Sequence, residues 1–165
     1  MTLSQVNGLG REEILQIFGS IYEHSAWVAE RVWSKRPFES RAQLRDLMHT
    51  EVEESGSDQQ LELLRAHPDL GTRARIGEHS TNEQKGAGLD QLRPDEYEIL
   101  IGLNRRYSER FGFPFICAVR GLNKEDILTV LMVRLESTAE EEFRQALWEV
   151  HRIAFFRLSD LIESQ

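Results

Sequence analysis

The sequence predicts an all-α protein, a single-domain helical bundle of roughly seven to nine helices. Apolar residues recur at intervals of three and four along most of the chain, and capping residues precede several of these runs. Strand patterns are nearly absent, since only FPFICAV at 113–119 combines aromatic and β-branched residues. A chain of 165 residues is about the size of one domain, so we predict a single domain over 1–165.

Helical patterns in the first half of the chain begin at residue 11. Ile14, Leu15, Phe18 and Ile21 share one face over 11–21. Ser25 and Ser40 are predicted to cap the next two helices. The run ESGSD at 54–58 separates the third of these helices from a fourth. That fourth helix should end at His67, because a residue before proline is disfavoured in the helical region.

Helix boundaries in the second half are marked by proline, glycine and capping residues. Pro94 suits the first turn of a long helix, which Gly112 should end. Asn123 and Thr138 are predicted to cap two further helices, the last of which extends close to the C-terminus.

The segment STNEQ at 80–84 has two possible roles. Its S-x-x-E spacing matches a capping box, in which Ser80 is the N-cap and Glu83 bonds back to it. In the first turn of a helix, Glu83 and Gln84 would also lie near backbone amides that favour an anion or a urea-like ligand. Ser80 can serve in both roles, but the side chain of Glu83 cannot.

His67 and Arg157 are candidate functional residues, although each residue type, taken alone, more often has a structural role at such a position. A positioned imidazole can exchange protons near neutral pH, whereas a histidine at a helix C-terminus can simply favour the helix dipole. Asp69 fits a turn or cap. Arg157 lies close to the apolar face of its helix and needs a planar anionic partner. That partner is either a ligand carboxylate or one of the 28 acidic side chains.

Composition excludes several classes of partner. The formal charge of −8, without a basic cluster, disfavours nucleic acid, and the lack of a long apolar run argues against a membrane span. Cys117 is the only cysteine and no secretory signal is recognisable, so we predict a reducing, cytoplasmic location.

Motifs for metal and nucleotide binding are not found. His24, His49, His79 and His151 have no partners at a recognisable zinc spacing, so we predict no metal. Neither a P-loop nor G-x-G-x-x-G occurs. Cys117 lies in an apolar run, which is typical of a small core residue rather than a nucleophile.

Four motifs in register resemble the 2-oxo-4-hydroxy-4-carboxy-5-ureidoimidazoline (OHCU) decarboxylase family. They are HPDLG at 67–71, S-x-x-EQ at 80–84 followed by AGLD at 87–90, LNRRYSERFGFPFI at 103–116, and IAFFRLSDL at 153–161. WVAERVW at 27–33 is also similar to an early tryptophan segment of the family. Lys85 and Gly86 depart from the small or apolar residues that are more usual after Glu-Gln.

The resemblance implies an all-helical, cofactor-free and commonly homodimeric carboxy-lyase of urate degradation. Such an enzyme converts OHCU, a small ureidoimidazoline, to S-allantoin and carbon dioxide. By resemblance, His67 is the catalytic histidine and Glu83 its partner carboxylate. The substrate-contacting positions are Pro68, Ser80, Gln84, Arg157 and the main chain of Phe115, Ile116, Cys117, Ala118 and Val119.

Two other functions are compatible with the same residues. A non-catalytic helical interaction module would use His67 and Glu83 only as caps. A ureide hydrolase of the same pathway would release no carbon dioxide from OHCU.

Overall fold

Helices form all the regular secondary structure of the computed structural model, which describes residues 1–71 and 78–163. The prediction of an all-α fold with seven to nine helices is confirmed, since nine helices lie within these residues. They are α1 Leu3–Gly8, α2 Arg11–Phe18, α3 Trp27–Trp33, α4 Arg41–Glu53, α5 Ser57–Arg65, α6 Glu78–Gly86, α7 Pro94–Phe111, α8 Lys124–Arg134 and α9 Ala139–Leu161. No helix among the described residues is long and apolar enough to cross a membrane.

The chain forms two compact units, and α9 contributes to both. Unit 1 comprises Met1–Ala66 and His151–Gln165, and unit 2 comprises His67–Val150. In unit 1, α3 packs against α2 and α4. Its core includes the buried side chains Val6, Ile14, Phe18, Val32, Leu44, Val52 and Leu158. Unit 2 has a core that includes Leu100, Tyr107, Phe115, Ile127, Leu131 and Ala146.

Local capping chemistry explains most helix boundaries. Ser40 accepts a hydrogen bond from the amide of Gln43, and Asn123 accepts one from that of Asp126. The hydroxyl of Thr138 accepts a bond from the Glu141 amide at 3.3 Å, so these three caps occur as predicted.

The long helix α7 also has the predicted boundaries. It begins at Pro94 and ends before Gly112, which adopts the left-handed conformation at φ 80°.

One prediction for the N-terminal region is wrong, and one helix there was not predicted. The N-cap of α3 is Ala26 rather than Ser25, whose hydroxyl donates instead to the carbonyl of Glu23 at 3.0 Å. The helix α1 was not predicted, although Thr2 caps it by accepting a bond from the Gln5 amide. It is only six residues long, too short for a helical period to emerge.

Candidate active site

His67 lies directly after α5, where the chain leaves the helix before Pro68. The C-cap is Ala66, so the prediction that proline ends this helix is confirmed. Only 8% of His67 is exposed. Pro68 is half-buried and Asp69 is exposed, although desolvation still raises the pKa of the Asp69 carboxyl. The imidazole is therefore largely shielded from water within unit 2.

Two hydrogen bonds tie the turn after His67 to neighbouring helices of unit 2. The amide of Gly71 donates to Oε1 of Gln84 on α6 at 2.8 Å, and Nδ2 of Asn104 on α7 donates to the carbonyl of Leu70 at 2.9 Å. All four residues are buried. Because α6 also carries Ser80 and Glu83, the Gly71 bond brings the second predicted motif against the first.

The predicted capping box at Ser80 is wrong. The helix α6 begins at Glu78, so Ser80 lies inside it and Glu83 lies beyond its first turn. The first-turn anion site predicted for Glu83 and Gln84 is wrong for the same reason, since interior amides bond within the helix. Ser80 is 5% exposed and Gln84 7%, whereas Glu83 is half-buried. Buried polar side chains of this kind require polar partners.

Residues 115–119 form a buried segment that is neither helix nor strand. Phe115, Ile116, Cys117, Ala118 and Val119 are each no more than 5% exposed. The carbonyl of Ile116 accepts a bond of 2.6 Å from Nη1 of Arg134, and the amide of Ala118 donates to Oε2 of Glu149 at 2.8 Å. Two of the main-chain groups predicted to meet a substrate are thus bonded to side chains from α8 and α9.

A buried ion pair between Arg134 and Glu142 supports this segment, and sequence reasoning missed it. Nε of Arg134 lies 3.1 Å and 3.0 Å from the two carboxylate oxygens of Glu142, and Nη2 lies 2.8 Å from Oε2. Tyr107 donates its hydroxyl proton to the same carboxylate. Burial opposes the charge of Arg134, but the bonds to Glu142 hold the guanidinium pKa above its usual value. Burial, and then the bond to Glu142, raises the pKa of the Tyr107 hydroxyl.

Arg157 lies in unit 1 and is 2% exposed. Its Nη1 lies 2.9 Å from Oε2 of Glu23 and donates to the carbonyls of Ser20 and Ile21 at 3.1 Å and 3.3 Å. The prediction that Arg157 needs an anionic partner is confirmed. Of the two partners considered, a ligand carboxylate and an acidic side chain, these contacts match the acidic side chain. A substrate contact of Arg157 stays a prediction.

A family model described as OHCU decarboxylase matches residues 7–159 of the chain. The chain belongs to the OHCU decarboxylase family. The family prediction is therefore confirmed over nearly the whole sequence.

Relatives and solved structures agree with this assignment. An OHCU decarboxylase of Haloferax volcanii is 47% identical over 165 residues, covering 100% of this chain and 98% of the relative. The uric acid degradation bifunctional protein PucL of Bacillus subtilis is 45% identical over 98% of this chain, which spans only 33% of that relative. The crystal structure of an (S)-allantoin synthase has a TM-score of 0.81 and 37% identity, covering 99% of this chain and 55% of that one.

A second solved structure supports the fold alone. The crystal structure of an OHCU decarboxylase in the presence of (S)-allantoin has a TM-score of 0.71 at 22% identity, covering 92% of this chain and 98% of that one. The family assignment leaves the roles of individual residues in this chain as predictions.

Proposed function

We propose that this chain converts OHCU to S-allantoin and carbon dioxide in urate degradation, as a carboxy-lyase that needs no cofactor, and that 1–165 form one catalytic domain. Membership of the OHCU decarboxylase family supports the proposal. The observation that carries it is the bond of 2.8 Å between the Gly71 amide and Gln84. This bond holds the helix of Glu83 against the turn that follows His67.

The proposed chemistry is loss of carbon dioxide followed by protonation of the same carbon. The bond from the hydroxyl-bearing ring carbon to its carboxylate breaks, and the electron pair moves into the ring C=N or C=O system. A proton must then reach one face of that carbon to give a single enantiomer. We assign this proton transfer to His67, with Glu83 hydrogen-bonded to the imidazole or to the substrate. The burial of His67 suits this role, because exclusion of water strengthens its interaction with developing charge.

Substrate recognition is assigned to polar groups around this turn. The bond from Gly71 to the amide oxygen of Gln84 orients the side chain, so we assign its Nε2 and the Ser80 hydroxyl to the ureido and ring amides. Within 115–119, the carbonyl of Ile116 and the amide of Ala118 are already bonded, so we assign substrate contacts to other main-chain groups. The half-buried ring of Pro68 would pack on the substrate.

We propose a substrate contact of Arg157 because of the resemblance to the family. The ion pair between Arg157 and Glu23 would hold the guanidinium in place for this contact. A guanidinium has five N–H donors, so it can hold one carboxylate and bind a second anion or carbonyl.

The decisive assay generates OHCU in situ from urate with the two preceding enzymes of the pathway. Optical activity and released carbon dioxide are followed after this protein is added. We expect His67→Asn to lower kcat by about 10²-fold or more, the usual contribution of an acid/base group. His24→Asn is the matched control, because His24 has a side chain that is 69% exposed.

Each rival function gives a different result in this assay. A ureide hydrolase would consume a ureide without releasing carbon dioxide from OHCU, and an interaction module would leave the spontaneous rate unchanged. Near wild-type turnover in folded His67→Asn would remove His67 from the mechanism.

We also propose that the enzyme is a cytoplasmic homodimer whose partner is a small molecule rather than nucleic acid or a membrane. The helix α8 supports a second copy, because it buries Ile127 and Leu131 yet leaves Met132 51% and Val133 66% exposed. Val133→Glu should convert the dimer to a monomer in size-exclusion chromatography with light scattering. A wild-type chain that is monomeric at micromolar concentration would contradict the dimer.

A further inference from the structure

Three potential metal ligands meet in unit 1, and none of them is a residue assigned above to catalysis or substrate binding. His49 and Glu53 lie four residues apart on α4, so they share one face of that helix. His151 comes from α9, 98 residues beyond Glu53, and its Nε2 lies 2.8 Å from Oε1 of Glu53. One potential ligand atom from each of the three residues lies within 4.8 Å of the other two.

We propose that His49, Glu53 and His151 bind one first-row divalent cation, with Zn²⁺ as the ion that best fits the donors. Two imidazole nitrogens and one carboxylate oxygen are a ligand set that zinc accepts, with a fourth position left for water. Mg²⁺ and Ca²⁺ prefer oxygen ligands and do not fit a site with two imidazoles. The sequence predicted no metal because nothing in it relates His151 to the pair on α4.

Tyr22 supplies the outer contact that such a site needs. Its hydroxyl oxygen lies 2.8 Å from Nδ1 of His151. When Nε2 of His151 binds the ion, Nδ1 carries the proton and donates it to this oxygen, which fixes the tautomer and the ring.

His151 is the buried ligand of the three, at 9% exposure. Both of its ring nitrogens are held in place, with Nε2 facing Glu53 and Nδ1 facing Tyr22. This orientation presents Nε2 to an ion that also binds the Glu53 carboxylate.

The other two ligands are exposed, so an ion can reach the site from solvent. The rings of His49 and His151 lie 4.0 Å apart between centroids at 34°. Bonds of about 2.1 Å to one ion place ligand atoms about 3.5 Å apart, so the His49 side chain must rotate on its helix face. Exposure leaves room for that rotation.

A hydrogen-bonded cluster without an ion is the competing explanation. The chain Glu53–His151–Tyr22 satisfies both nitrogens of His151 by itself. His49 distinguishes the two explanations. The hydrogen-bonded chain Glu53–His151–Tyr22 does not include His49, whereas a metal site with three protein ligands requires it.

Titration calorimetry with ZnCl₂ on tag-free protein, previously treated with a chelator, tests the site. We expect one Zn²⁺ per chain in the wild type and no heat from MgCl₂. His49→Ala and Glu53→Gln should each raise Kd by about tenfold or more. Both residues are exposed, so these variants are expected to fold.

Matched controls replace comparable side chains outside the cluster. Glu54→Gln changes the next glutamate along the chain, and His24→Asn changes an exposed histidine at φ 47°, a conformation that asparagine tolerates. Both controls should keep the wild-type Kd.

Thermal unfolding gives a second measurement that does not depend on turnover. At the same concentration, Zn²⁺ should raise the Tm of the wild type and of both controls clearly more than that of His49→Ala. No zinc binding at 100-fold molar excess over protein, or equal binding by wild type and His49→Ala, would overturn the site. Decarboxylation plays no part in either measurement, so the site can fail while the proposed function stands.

Discussion

Replacing Gly71 with alanine tests how the turn after His67 is held. Gly71 adopts φ +72°, which L-residues with a side chain rarely populate. A Cβ at this position would lie 2.4 Å from Cδ2 of Leu100, a side chain that is 1% exposed and has little room to move. The substitution therefore introduces both backbone strain and a steric conflict.

The two penalties can be estimated separately because Gly121 offers a matched comparison. The left-handed conformation costs an alanine about 1–2 kcal/mol, and overpacking a core costs about 1–3 kcal/mol. Gly71→Ala should therefore lower the free energy of unfolding by about 2–5 kcal/mol. Gly121 has φ +83°, and a Cβ added there would meet no atom of the described residues within 4 Å, so Gly121→Ala should lose only the first contribution.

Urea denaturation of both variants measures the difference, which is the steric part alone. We also expect Gly71→Ala to lower turnover in the OHCU assay, since its amide holds Gln84. Equal losses of stability for the two variants would refute the reasoning, because backbone strain would then explain both.

Three further perturbations follow from buried polar groups. Glu142→Gln leaves the charge of Arg134 without its carboxylate and should lower the free energy of unfolding, measured by urea denaturation, by about 3–5 kcal/mol. Replacing both residues with apolar side chains should lower it clearly less. Equal losses for the single and the double variant would argue against a stability effect of the unpaired charge. Asn104→Leu leaves the carbonyl of Leu70 without its donor and should cost about 1–3 kcal/mol, while an unchanged midpoint would contradict this. Burial lowers the pKa of His151, so the unfolded chain binds the proton more tightly than the folded chain does. The contribution of neutral His151 to the free energy of unfolding should be complete above about pH 6.5 and should fall as the pH decreases below that value. An imidazole pKa measured by NMR that lies above the value of a free histidine would contradict this prediction.

The sequence predicted helix boundaries well where a single side chain determines them. Ser40 and Asn123 cap their helices because each side-chain oxygen meets an amide three residues later. Ser25 carries the same local signal, yet its hydroxyl donates backwards to the carbonyl of Glu23. The neighbouring His24 has φ 47°, so the chain turns there in a way that capping preferences alone do not reveal.

Ser80 shows the corresponding limit for the candidate site. An S-x-x-E spacing marks a helix start only if the residue at Ser80 is itself non-helical. Because α6 already includes Glu78, the same four residues lie in the helix interior. The spacing still identified polar residues near the turn after His67. It wrongly placed Ser80 at the N-cap of the helix rather than inside it.

Sequence patterns could not predict the hydrogen bonds that hold the segment 115–119, because these bonds depend on buried acidic side chains. Glu142 is 1% exposed and Glu149 is 5% exposed, although glutamate side chains are mostly exposed in folded proteins. Arg134 and Glu142 are eight residues apart on different helices, so no helical period relates them. Glu142 holds the guanidinium that bonds the carbonyl of Ile116, and Glu149 bonds the amide of Ala118 directly. The proposed recognition of the substrate by main-chain groups requires such rigidity, so we expect changes at these acids to raise KM even where the fold survives.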